Sequence, residues 1–246
     1  MTHQQDISTQ EAYPIAWPPS YRLKKHRRAK HVKLRVNRVH GLEITVPYRF
    51  NIREIPSILE EKKAWILKQL CQSKTNSLTT RPSEIILQAM NEHWQVEYIK
   101  SEKRLTLIEH PFEQRIIVIG HTTDELKCIK LIITWIKKKA KSHLALALRK
   151  LSQQTNLSFT HVSVRSQKTL WGSCTSQKKI NLNYRLIFLP NTLATHIMLH
   201  ELCHTKYLNH SKRFWQLVAN FDCDWQQHNR ALRHADDHIP SWCLLV

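Results

Sequence analysis

The sequence predicts an α+β fold in which a β-rich N-terminal subdomain precedes a compact core built around one histidine-bearing helix. Three observations carry that expectation. Apolar residues alternate with period two in short runs before residue 120, as at 32–36 and 42–46, and such alternation marks a half-buried strand. From 123 to 151 the period becomes helical, with Leu126, Ile129, Ile133, Ile136, Ala140, Leu144 and Leu148 on one stripe. Beyond residue 190 a further helical stretch carries His200-Glu201-Leu202-Cys203-His204.

Taken in order, residues 1–20 hold Pro14, Pro18 and Pro19 and read as an irregular arm. The runs 32–36 and 42–46, punctuated by Gly41, read as a hairpin. Residues 52–71 place Ile55, Ile58, Leu59, Ala64, Trp65 and Leu67 at helical spacing, and a polar loop follows at 73–83. Strands are expected at 94–99, 104–108 and 115–119, with Gly120 as a breaker. The long helix keeps its lysine cluster, 137–141, on a wet face. A short strand at 162–164 and a longer one at 180–188 come next; Pro190 stops the latter and Thr192 offers an N-cap. The expected division is an arm 1–20, a subdomain 21–120, a core 121–227 and a tail 228–246.

Composition narrows the function classes. With 41% hydrophobic and 23% charged residues in 246, the chain is of ordinary globular type, which excludes disorder, collagen and coiled coil as its architecture. Its longest apolar runs, such as Leu131-Ile132-Ile133, fall far short of the roughly 20 residues that span a bilayer, so no membrane partner is expected. Lys and Arg number 38 against 19 Asp and Glu, a net charge of +19. Residues 20–38 hold nine Lys/Arg and no acid, and residues 126–200 hold 13 and no acid. Such stretches attract polyanions by counterion release, so nucleic acid or nucleotide is a candidate partner through the basic surface. No zinc-finger spacing, RRM signature or P-loop selects a nucleic-acid fold. The first residues lack the basic and apolar regions of an export signal. Six scattered cysteines form no CxxC pair, so reduced thiols in a cytoplasmic protein are expected.

The chemistry concentrates after residue 192. Leu193, Ile197, His200 and His204 fall at i, i+4, i+7 and i+11, which sends both imidazoles from one side of a helix. Side chains four apart are neighbours, so both can reach one metal ion. Glu201 sits one step round, placed to act as general base on a water and not as a ligand. His210 follows His200 by ten residues, and Asn209 and Ser211 suit a helix end and a new N-cap that turn it back towards the metal. Asp222 or Asp224 on the following helix are the alternative third ligands. Three His ligands leave one position open, as in catalytic zinc sites. Cys203 points off the ligand side and reads as a small core residue. Phe214, Trp215, Val218 and Phe221 recur at helical spacing as packing. His228, His234 and His238 with Asp236-Asp237 read as a solvated tail.

Residues Arg165-Ser166-Gln167-Lys168-Thr169-Leu170-Trp171-Gly172-Ser173-Cys174, the strand at 180–186, the HELCH run, Asn209-His210-Ser211 and Phe214-Trp215 together resemble the YgjP-like metallopeptidase family. Arg27-Arg28, Val46-Pro47 and Lys63-Ala64-Trp65-Ile66 match its pattern too, so the resemblance spans about residues 21–225. The departure is Thr169-Leu170 before Trp171, where an Arg is common. Metzincins are not matched: their Gly seven residues after the first His is Tyr207 here. The resemblance implies a zincin-like minimal metallohydrolase core related to SprT. Its Zn²⁺ would be held by His200, His204 and His210, with Glu201 as base and a peptide or protein substrate, including protein associated with nucleic acid. Two rivals stay open: a nucleotide phosphoanhydride hydrolase, and a non-catalytic basic binding module with a structural zinc. Gly172 is expected at a φ > 0 turn or a close backbone approach. The strand at 180–188 is expected either to receive an extended peptide by strand addition or to be an ordinary core strand.

Overall fold

The computed structural model describes residues 16–37, 41–74, 81–167 and 169–245. The arm before residue 16, most of the polar loop at 73–83 and Lys168 lie outside the described residues. The chain divides into two compact units, residues 1–78 and 79–246.

In the first unit, β1 (Tyr21–His26), β2 (Lys33–Asn37) and β3 (Gly41–Pro47) form a sheet of order β1-β3-β2, with β1 parallel and β2 antiparallel to β3. The hairpin of β2 and β3 matches the expected alternation, and Gly41 opens β3 at φ +67°. The strand β1 was not expected. Leu42, Ile44 and Val46 are buried with Ile55 and Leu59 of α1 (Ile55–Glu61) and Ile66 and Leu70 of α2 (Lys63–Lys74). The single helix expected at 52–71 is instead a 3-10 turn, Ile52–Glu54, and two helices parted at Lys62, whose φ of −98° and ψ of 10° leave the helical region. By register, Arg22, Lys24, Lys33 and Arg35 share the opposite face around Glu43, and Lys24 Nζ lies 3.0 Å from the Glu43 carboxylate.

The second unit begins with β4 (Glu84–Leu87), β5 (Glu92–Lys100), β6 (Thr106–His110) and β7 (Arg115–Gly120), ordered β4-β5-β7-β6 with β5 and β7 parallel. Gly120 has φ +127°, and a Cβ there would lie 2.7 Å from the Lys103 carbonyl oxygen, so no other residue fits this turn. The long helix α3 (Glu125–Thr155) is capped by Asp124, which accepts from Lys127 N at 3.0 Å. Its stripe of Ile129, Ile133, Ile136, Ala140, Leu144 and Leu148 is buried, but Leu126, at the exposed N-terminal turn, is half exposed.

A three-stranded sheet follows: β8 (His161–Arg165), β9 (Gly172–Cys174) and β10 (Lys179–Asn183), ordered β8-β10-β9. The strand expected at 180–188 stops at Asn183, and Tyr184–Phe188 forms a 3-10 turn. Then come α4 (Asn191–Cys203), α5 (Lys212–Phe221) and α6 (Trp225–Ala231). The helix α4 starts behind Pro190, one residue before the expected cap Thr192. One core joins Ile85, Trp94 and Ile116 of the four-stranded sheet, the α3 stripe, Ile180 and Leu182 of β10, and Ile197 and Leu202 of α4. Ala235, Ile239, Trp242 and Cys243 near the C-terminus are buried in that core. Among the described residues no helix is long and apolar enough to cross a membrane.

Candidate metal centre

The helix α4 is buried on nearly every side, with Leu193, Ala194, Ile197, Met198, Leu199, Leu202 and Cys203 all inaccessible. Its apolar residues go right round, so no amphipathic stripe sets it apart. His200 lies in its last turn and His204 is its C-cap, at φ −64° and ψ −19°. The chain then turns. Ser211, with φ −68° and ψ 170°, caps α5 by accepting from Phe214 N at 3.4 Å, as the spacing predicts.

That turn brings the three histidines together. His200 Nε2 is 3.1 Å from His204 Nε2 and 3.0 Å from His210 Nε2. His204 Nδ1 donates to the Tyr207 carbonyl at 2.9 Å, which places its proton on Nδ1 and leaves a lone pair on Nε2. A proton on His200 Nε2 could serve only one of its two neighbours, whereas a cation serves all three nitrogens. The donor set therefore fits a divalent ion, with nitrogen donors of the type zinc takes and room for a fourth ligand. Phe214 stacks on the His204 ring at 4.5 Å and Trp215 on the His210 ring at 5.6 Å, so α5 fixes both ring planes. Burial, then the neighbouring His204 and His210, push the His200 imidazole down to about 3. Burial likewise lowers that of His204. Both rings are therefore held in the neutral form that a metal requires.

Glu201 is 6% exposed, and its Oε2 has no hydrogen-bond partner among the described residues. Burial pushes its carboxyl up to about 8. Opposite it runs β9. Gly172 lies so close that a Cβ would fall 2.7 Å from Glu201 Cγ and Oε1. Of the two roles expected for this glycine, close approach is the one observed. Both sides line a pocket of about 430 Å³ that holds His200, Glu201, His204 and His210, with Trp171, Gly172, Ser173 and Cys174 across from them.

Asn183 ties that wall down, a role that alternation alone did not reveal. Its side chain donates to the carbonyls of Gln167 at 2.8 Å and Leu170 at 2.9 Å and accepts from Arg185 N at 3.1 Å. A polar ladder crosses the sheet as well, Ser163 Oγ to Asn181 at 2.6 Å and Asn181 to Ser173 Oγ at 3.2 Å. Paired on both sides, β10 cannot receive a peptide, which corrects the first of the two expectations for 180–188; β9 is the edge strand beside the pocket.

The structure does not bring Asp222 or Asp224 to the three histidines. Asp222 pairs with His196 and His228, and Asp224 is exposed next to Cys223. His228 thus turns inward from α6, while His234 and Asp237 remain an exposed pair at 3.8 Å. All six cysteines are free, and burial raises the thiols of Cys203 to about 12 and Cys174 to about 11, which makes both poor nucleophiles. The family model described as YgjP-like, metallopeptidase domain, matches residues 30–235. Comparison with curated proteins finds no match.

Proposed function

The chain belongs to the YgjP-like metallopeptidase family and so is a metal-dependent hydrolase, and on that premise we propose that it is a zinc peptidase in which His200, His204 and His210 hold the ion and Glu201 is the general base. The observation that carries this reading is the meeting of three imidazole nitrogens beside a buried carboxylate with one unpartnered oxygen. Zn²⁺ at such a site supplies Lewis acidity towards a carbonyl oxygen and lowers the pKa of a water. Glu201 accepts the proton of the attacking water through Oε2. It then delivers that proton to the departing amide nitrogen. The edge of β9 orients an extended peptide by adding it as a strand, with Gly172 against Glu201. Trp171 and Leu170 form an apolar wall for a side chain.

A nucleotide substrate is less well served. Among the described residues no Lys or Arg lines the pocket, which leaves a triphosphate without countercharge. A structural zinc would call for a closed site of four protein ligands, whereas three candidate ligands meet among the described residues. The basic face of Arg22, Lys24, Lys33 and Arg35 supports a substrate associated with nucleic acid. Zinc-loaded protein is tested on casein and on a DNA-bound basic protein, beside Glu201→Gln. Cleavage by the wild type, lost in the variant with zinc retained, is the expected result. Nucleoside triphosphate hydrolysis without proteolysis would overturn the peptidase reading.

A further inference from the structure

One turn before His200 on α4, His196 belongs to a second group of donors that the proposed reaction does not use. Its Nδ1 lies 2.6 Å from Asp222 Oδ2, and His228 Nδ1 lies 2.9 Å from that same oxygen and 3.1 Å from Oδ1. Three elements converge here: α4 supplies His196, the C-terminal cap of α5 supplies Asp222, and α6 supplies His228. One donor atom from each lies within 4.8 Å of the others. His196 is 1% exposed and the Asp222 side chain 9%, so the carboxylate is largely withdrawn from water. His228, at 22%, leaves one side open, and a pocket of about 280 Å³ reaches all three residues between Asn191 and Phe221.

The carboxylate is what makes this cluster more than a hydrogen-bonded trio. Asp222 takes hydrogen bonds from His196, His228 and the Asp224 backbone N–H, and among the described residues no Lys or Arg pairs with it. A largely buried carboxylate with no fixed cation beside it is a place where a bound cation is favoured. Nε2 of His196 is also buried without a hydrogen-bond partner among the described residues, and the ring's hydrogen bond is to Asp222. A divalent cation at the point where both Nδ1 atoms face the carboxylate supplies the missing charge.

We propose that His196, Asp222 and His228 form a second metal site, which takes a divalent first-row transition ion through two imidazole nitrogens and a carboxylate oxygen. That donor set suits Zn²⁺, Co²⁺ or Mn²⁺, and not Mg²⁺ or Ca²⁺, whose sites are built of oxygen. The ion fastens α5 and α6 to the helix that carries His200 and Glu201. It needs neither His210 nor Glu201, so it stands or falls apart from the peptidase reading.

The test loads metal-free, full-length protein with Co²⁺ and counts bound ions by mass spectrometry. Wild type is compared with His210→Ala, Asp222→Asn and His228→Gln, each with its circular dichroism recorded. Wild type should hold about two ions per chain, with about one lost in each of the Asp222 and His228 variants. His210→Ala should keep the ion that Asp222→Asn loses. Folded Asp222→Asn and His228→Gln that bind as much Co²⁺ as wild type overturn the proposal. So does a wild-type count of about one that His210→Ala abolishes, a result that needs no variant of this site to fold. A single ion kept by His210→Ala and lost by Asp222→Asn would leave this site standing and remove the three-histidine one.

Discussion

Gly172 has an ordinary backbone conformation and still tolerates no side chain, because a methyl group there would occupy the place of the Glu201 carboxylate. The contact is with a side chain, so Gly172→Ala should fold and push Glu201 aside. Displacing a catalytic group by about 1 Å costs on the order of 100-fold in rate. The expected result is that loss in kcat with metal content unchanged; an active Gly172→Ala would separate Glu201 from the chemistry. Glu201 also leaves a mark on stability. In metal-free protein its carboxyl titrates at about 8 against 4.5 for the ordinary group. The folded state therefore binds the extra proton between those values, and that stabilisation, complete below 4.5, fades as pH rises through 8. His200, lowered from 6.5 to about 3, acts on the acid side: its contribution is lost as pH falls from 6.5. From pH 6.5 to 8, the melting temperature of chelator-treated wild type should fall, and that of Glu201→Gln should stay flatter. Parallel melting curves would show that Glu201 is not held protonated.

At the scale of the elements, what the sequence reveals depends on whether a residue's role is periodic. The stripe of α3, the β2–β3 hairpin and the Ser211 cap all follow from spacing. The histidines were legible because residue type and interval together mark them, even on a helix whose burial runs nearly all round. Three strands were not expected from spacing, and in β4 the exposed Ile86 between buried Ile85 and Leu87 hides the alternation. The six residues of β1 carry one partly buried apolar side chain, Leu23, among charges, and the three residues of β9 are too few to show a period. Asn183 misled in the other direction. It keeps the apolar–polar alternation of 180–188 going in the sequence, yet its side chain caps the 3-10 turn that ends the strand. Because it satisfies the Gln167 and Leu170 carbonyls, Asn183→Ala should leave buried polar groups unpaired at about 1–3 kcal/mol. Denaturant unfolding measures that loss. Activity should fall further than stability predicts, since the loop leading into β9 is released; an Asn183→Ala enzyme with full kcat would show that the loop positions itself.

For the whole molecule, the decisive fact is that it has two cores with no shared member, one ending at Leu70 and the other beginning at Ile85. Grouping strands by type sets β4 to β7 beside the N-terminal strands, whereas their buried side chains lie in the same core as α4. A fragment of residues 79–246 should therefore fold and take up metal like the full chain, and lose the Arg22, Lys24, Lys33 and Arg35 face. If that face draws the enzyme to nucleic-acid-bound substrates, the fragment should cleave free and DNA-bound protein alike. A fragment that fails to bind metal would show that the first unit is needed to form the centre. The column of rings behind that centre carries a further consequence, an optical one. Trp215 lies flat on His210 and, from its other neighbour, stacks on Trp225 at 4.5 Å and 21°. If His210 holds the ion as proposed, one with partly filled d orbitals would lie near that indole pair and quench its excited state. Emission should dim as Co²⁺ enters and recover when Zn²⁺ replaces it, and comparison of His210→Ala with Asp222→Asn would assign the signal to one of the two proposed sites.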